Sequence, residues 1–179
     1  MRLLSAFVIL VLAALPVSVQ AAQDLAIEAF YGQWKGSGIS KNPNSVYFGI
    51  TERDFDVMIQ AKGGGFSVTW TTVLRQGGDP NNPNVKRNTA SKDFVPSGNG
   101  RFFVSPPLPD PLSGKDYAWA RIEKSSLYVY ILTIDEAGVY DMQVYERTLL
   151  APGMSLKFTR IRGDEPQRTV EGRLVKFAD

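Results

Sequence analysis

The chain has 179 residues, 44% of them hydrophobic, with 20 Lys plus Arg against 18 Asp plus Glu and neither His nor Cys. Without imidazole or thiol there are no Ser-His or Cys-His nucleophile pairs, no His-based acid–base chemistry at neutral pH, no disulfides, and no His or Cys ligands for zinc, copper or haem iron. Charges of both signs are mixed along the chain with no polybasic block, which removes the concentrated basic face that nucleic-acid binding needs.

The first segment has the three parts of an export signal. Arg2 is the positive start, Leu3 to Leu15 is apolar except for Ser5, and Pro16 ends the helix-forming run. Val19-Gln20-Ala21 then offers small or modest residues to a signal peptidase. Residues 1–21 read as a signal peptide cut after Ala21 or Ala22. The apolar run is shorter than the roughly 20 residues of a bilayer span, so no stable membrane insertion is expected after cleavage. No Cys follows it to carry a lipid anchor. Processing leaves one domain over 22–179, long enough to bury a core without staples. Its expected location is a bacterial periplasm or the outside of the cell.

Asp24 to Tyr31 reads as a short N-terminal helix, with Ala26, Ala29 and Phe30 at helical spacing and Asp24 as its cap. Beyond it, segments rich in Val, Ile, Tyr, Phe, Trp and Thr alternate with Gly, Pro, Asn and Asp. The expected strands are Gly32–Ser40, Ser45–Gln60, Gly65–Arg75, Val85–Phe94, Arg101–Ser105, Asp116–Glu123, Ser126–Asp135, Val139–Arg147, Met154–Arg162 and Gln167–Phe177. Short turns join many of them, including Lys62-Gly63-Gly64-Gly65, Glu123-Lys124-Ser125-Ser126 and Arg162-Gly163-Asp164-Glu165. Such turns make sequential strands antiparallel neighbours. The expected fold is all-β: one antiparallel up-and-down barrel of about ten strands, closed so that no edge is left exposed. A β-sandwich is the alternative. Gln76–Asn84 and Pro96–Lys115 read as long polar loops that could close over a barrel mouth.

Phe30-Tyr31-Gly32-Gln33-Trp34-Lys35-Gly36-Ser37-Gly38 carries a Gly-x-Trp-x-Gly-x-Gly pattern. It resembles the opening of calycin barrels, of lipocalin or nitrobindin type. That resemblance implies that Trp34 packs across the barrel base against an Arg from a late strand, Arg160 or Arg173. Nitrobindin-like proteins hold haem through a His, which this chain lacks, so haem is not carried over and no cofactor or metal is expected.

Among candidate ligand-binding residues, Trp34, Trp70, Trp119, Tyr128 and Tyr130 could line an apolar cavity; ordinary core and cross-strand packing is the competing use of the same rings. Tyr117, Trp119 and Arg121 share a strand face opposite Ala118, Ala120 and Ile122. If that face points inward, Arg121 could hold a carboxylate or phosphate. If it points outward, the alanine face packs the core. Asp54 and Asp56 share a face and read as surface charges, and no residue is assigned a catalytic role. Arg160, Arg162, Arg168 and Arg173, interspersed with acids, read as solvated positions. The function expected is a non-catalytic exported barrel for a small hydrophobic or amphipathic ligand. The alternatives are a protein-interaction module of the envelope acting through its long loops, and a His-free cyclase or isomerase.

Overall fold

Ten strands form in the computed structural model, which describes residues 23–46, 49–79, 82–98 and 100–179, and the backbone alone at 75–79 and 82–84. The expected signal segment lies outside the described residues. The strands are β1 (Gly32–Lys41), β2 (Ile50–Lys62), β3 (Gly65–Asp79), β4 (Asn82–Ser97), β5 (Phe102–Val104), β6 (Tyr117–Glu123), β7 (Ser126–Ile134), β8 (Tyr140–Leu149), β9 (Met154–Arg162) and β10 (Glu165–Ala178). Each pairs antiparallel with its neighbour in sequence, and β10 pairs with β1. The result is a closed up-and-down barrel rather than a sandwich, and closure leaves no free edge. Gly63 and Gly64, at φ of 56° and 77°, make the tight β2–β3 turn.

The period-2 pattern decides which residues point inward. Val57 and Ile59 of β2, Phe66, Val68 and Trp70 of β3, Ala118, Ala120 and Ile122 of β6, and Leu127, Val129 and Ile131 of β7 are all buried. Met154 and Leu156 of β9 and Val170 and Leu174 of β10 complete the lining. One end is plugged. Phe66 stacks on Phe94 with ring centroids 5.1 Å apart and meets Phe103 edge-on at 4.9 Å. Phe30 closes the same end from below, wholly buried.

The Gly-x-Trp-x-Gly-x-Gly pattern has a structural cause. Trp34 is 4% exposed, and its Nε1 donates to the Phe30 carbonyl at 3.0 Å, which ties the plug to β1. A Cβ on Gly36 would lie 1.9 Å from the Arg173 carbonyl oxygen, and one on Gly38 would lie 2.4 Å from that of Glu171. The glycines let β1 approach β10 closely. The Trp34 ring meets the Lys176 ammonium, 5.8 Å from its centroid. This corrects the expected Arg partner: Arg173 is exposed beside Ser37, and Arg160 lies toward the other end.

Two further expectations are corrected. The N-terminal segment makes a single 3-10 turn at Ile27–Phe30, not a helix. Asp24 does not cap it. Its Oδ1 instead accepts from the Lys124 amide at 2.6 Å, and its Oδ2 pairs with Arg101 at 2.9 Å. The expected loop Gln76–Asn84 is mostly strand: pairing continues through Gly78 with Pro83 and Asp79 with Asn82 after an irregularity past Arg75. Its tip, 80–81, lies outside the described residues. Among the described residues, no helix is long and apolar enough to cross a membrane.

Candidate functional site

The end opposite the plug is open. A cavity of about 500 Å³ runs into the barrel there, within the range of small-molecule sites. Its inner part is apolar: Phe55 and Val57 from β2, Trp70 from β3, Leu156 and Phe158 from β9, and Val170 from β10. Trp70 of β3 and Tyr145 of β8 lie 5.0 Å apart, and Tyr145 and Phe158 of β9 4.7 Å, so three rings meet across the barrel interior. Among the described lining residues are five cations, Arg53, Lys86, Arg147, Arg160 and Arg168, and no carboxylate.

Arg147 is the unusual member. It is 0% exposed, and Nε, Nη1 and Nη2 all lack a hydrogen-bond partner. Its guanidinium lies 5.3 Å from the Tyr145 ring centroid and 5.8 Å from that of Trp70. Desolvated ring contacts of this kind return about 2 kcal/mol each. They leave its five N–H donors without hydrogen-bond acceptors, at about 1–3 kcal/mol per orphaned group. Burial pushes its pKa down to about 10, so the group is still a cation at neutral pH. A buried cation without a counter-ion is a standing cost, and an anion would remove it.

The other cations differ in how far they are neutralised. Arg160 is held by Asp141 in a fork, with Nε to both carboxylate oxygens at 3.0 Å and Nη2 to Oδ2 at 2.6 Å. That bond raises its pKa. Arg53 and Arg168 each bury an Nε without a partner. Arg53 is pushed down first by burial and then by the nearby Arg168 charge. Outside the lining, Lys92 bonds Asp116 at 2.9 Å; this bond is the main cause of the lowered Asp116 pKa.

The structure divides the six residues singled out from sequence. Trp70 lines the cavity. Trp34 belongs to the plug beneath it. Trp119, Arg121, Tyr128 and Tyr130 sit on the outer face of β6 and β7, because Ala118, Ala120 and Ile122 fill the inner one. There they form a ladder. Trp119 stacks on Tyr130 at 4.9 Å and 9°, and Arg121 lies 4.6 Å over the Tyr128 ring while its Nε donates to the Tyr130 hydroxyl at 2.9 Å. Arg160 and Arg168 are corrected in the opposite sense: they line the cavity and are not simply solvated. Sequence reasoning also passed over Arg53 and Arg147. The signal was available, since Arg160 has the parity of Met154, Leu156 and Phe158, and Arg53 that of Phe55 and Val57.

No protein-family model matches the chain, and no curated protein is detectably similar to it. Solved structures share its fold, two of them described as follows. One is an S-type phycobiliprotein lyase from Guillardia theta, with TM-score 0.56 and 10% identity over 87% of this chain and 94% of the lyase. The other is a DUF3598-family protein of unknown function from Nostoc punctiforme, with TM-score 0.57 and 12% identity over 93% of this chain. The present chain spans only about half of that protein, 54% of its length. These likenesses show a shared barrel fold.

Proposed function

We propose that this protein is an exported, non-catalytic barrel that binds a small amphipathic anion. The apolar body of the ligand lies against Phe55, Trp70 and Phe158, and its acidic group seats on Arg147. The observation that carries this reading is Arg147 itself: a wholly buried guanidinium with every donor unused, in the wall of a cavity whose described lining residues include four other cations and no carboxylate. A carboxylate or phosphate accepts from a guanidinium in bidentate fashion and would turn a costly burial into a charge-assisted pair. The Tyr145 and Trp70 rings shift to admit it. The lyase neighbour is a barrel of the same fold whose name records work on phycobiliproteins, and this agrees with a ligand-handling use of the architecture.

The interaction-module alternative draws on exposed Leu108 and Leu112 in the segment before β6. On that reading the cavity residues are dispensable.

The test compares two fluorescent probes with nearly the same aromatic body. 1-Anilinonaphthalene-8-sulfonate carries an anionic group, and N-phenyl-1-naphthylamine does not. The sulfonate is expected to bind the native protein more tightly, and Arg147→Met to weaken it about tenfold or more while leaving the neutral probe within about twofold. Equal affinity for the two probes, or sulfonate binding untouched by Arg147→Met, would overturn the proposal.

A further inference from the structure

We infer that the protein docks its open end on an anionic lipid surface, through one side of the mouth. This rests on the cavity being the site of an amphiphile carrier, as proposed above, since a docked mouth opens where amphiphiles reside. Strand direction puts the β1–β2 turn, the β3–β4 hairpin, the segment before β6 and the β7–β8 turn at that end. On the β1 to β4 side, aliphatic side chains stand in water. Val46 of the β1–β2 turn is 91% exposed, Ile50 at the start of β2 is 72% exposed, and Val85 is 37% exposed next to the cavity-lining Lys86. A built turn carries Val46. The Asn42 amide donates to the Gly49 carbonyl at 2.7 Å, the Asn44 amide donates to Asn42 Oδ1 at 3.1 Å, and Asn44 Nδ2 donates to Gln167 Oε1 of β10 at 3.2 Å.

Cations flank these residues. Lys41 is paired in register with Ile50, and Lys86 and Arg87 follow Val85 along β4. All three are exposed, and none makes an ion pair with a described residue. Over 39–46, 50–53 and 85–87, Glu52 is the one acid. The other side of the mouth has the opposite character. Asp110, Asp116, Asp135 and Glu136 lie there, and Arg160 and Arg162 are already paired with Asp141 and Asp135. An anionic surface therefore attracts the β1 to β4 side and not the other. Lys and Arg lay their stems along apolar surface while their heads stay in water. Aliphatic tips between such residues suit the boundary of acyl chains and anionic headgroups. A protein partner calls for a continuous apolar centre with large anchors, whereas the described tips are aliphatic and stand on separate chain ends.

Co-sedimentation of the mature chain with lipid vesicles tests this. Vesicles of phosphatidylglycerol and phosphatidylcholine in about equal parts are expected to bind it at least about tenfold more tightly than phosphatidylcholine alone. Val46→Ser with Ile50→Ser is expected to weaken binding to the mixed vesicles about tenfold or more, and Lys41→Gln with Arg87→Gln about tenfold. Leu112→Ser, 74% exposed on the other side of the mouth, is expected to stay within about twofold. The Val46→Ser, Ile50→Ser protein keeps its cavity, so its affinity for anilinonaphthalene sulfonate is expected within about twofold of native, which separates lost docking from lost fold. Failure to bind the mixed vesicles, equal binding to the two vesicle types, or binding untouched by the Val46 and Ile50 changes would overturn the inference. A lipid-free dimer in sedimentation velocity that those changes dissolve would assign the patch to a second copy of the chain and overturn it too. Vesicle binding needs no ligand in the cavity, so failure of docking and failure of the anion site are read separately.

Discussion

At the residue scale, Arg147 shows how a site is distinguished from a core. Placing a guanidinium among Trp70, Tyr145 and Leu156 lowers stability, because its N–H donors lose water and gain no acceptor. Selection for packing alone would favour a hydrophobe of similar length. Arg147→Met is therefore expected to raise the stability of the ligand-free protein by about 2 kcal/mol, or about 4–8 °C in Tm for a domain of this size. Calorimetry of the two proteins checks this, and a lower Tm for the variant would mean that the ring contacts at 5.3 and 5.8 Å hold the fold together. Arg160 makes the contrast: it shares the cavity but has a forked carboxylate partner in Asp141, so it is not the group in want of an anion. On the outer wall, Arg121 is satisfied by the Tyr130 hydroxyl and by Glu123 at 3.0 Å.

At the element scale, the contact of β1 with β10 closes the barrel. Inward positions of β1 carry Trp34, Gly36 and Gly38 where other strands carry branched or aromatic side chains. A side chain at Gly36 would collide with neighbouring backbone and not with a movable side chain. Gly36→Val is accordingly expected to cost about 3 kcal/mol or more. Ser37→Ala, one residue along and exposed, is expected to stay within about 0.5 kcal/mol. Urea unfolding of both variants measures the difference, and equal midpoints would refute the account of close approach. The long β3–β4 hairpin teaches a different lesson about elements. Its Gly, Asn and Pro composition reads as loop, yet the backbone keeps its pairing almost to the tip. Once a ladder is running, each added pair costs little beyond ordering two residues that are already adjacent.

At the scale of the whole molecule, the barrel is polarised. Its base is packed with Phe30, Trp34, Phe66, Phe94 and Phe103, and its mouth is lined with guanidinium groups. An amphiphile entering headfirst is drawn by the positive mouth, since low-dielectric walls focus the field. A protein that carries amphiphiles between compartments or membranes would be exported, as the first 21 residues lead one to expect. Expressed in full in a bacterium, the chain is expected in the periplasmic fraction with the mass of residues 22–179 or 23–179. Intact-mass measurement of the fractions checks this, and an uncleaved chain in the cytosol would count against export.

The sequence alone determined the class of fold, because ten alternating segments joined by short turns leave little choice but an antiparallel meander. Every observed strand overlaps one of the expected segments. It also determined which chemistries are missing, since residue types that are absent cannot be supplied by folding. The direction of the aromatic and cationic faces was decided by tertiary structure. In β6, a row of Ala and a row of Tyr, Trp and Arg are each able to face a core, and the space inside the barrel admitted the small row. The same competition turned Arg53, Arg147, Arg160 and Arg168 inward, against the expectation that charge faces water. A strand has two faces and one parity. Once the apolar residues of β2, β8, β9 and β10 are committed to the inside, the cations of equal parity must follow them, and only the closed barrel brings those four strands around one cavity.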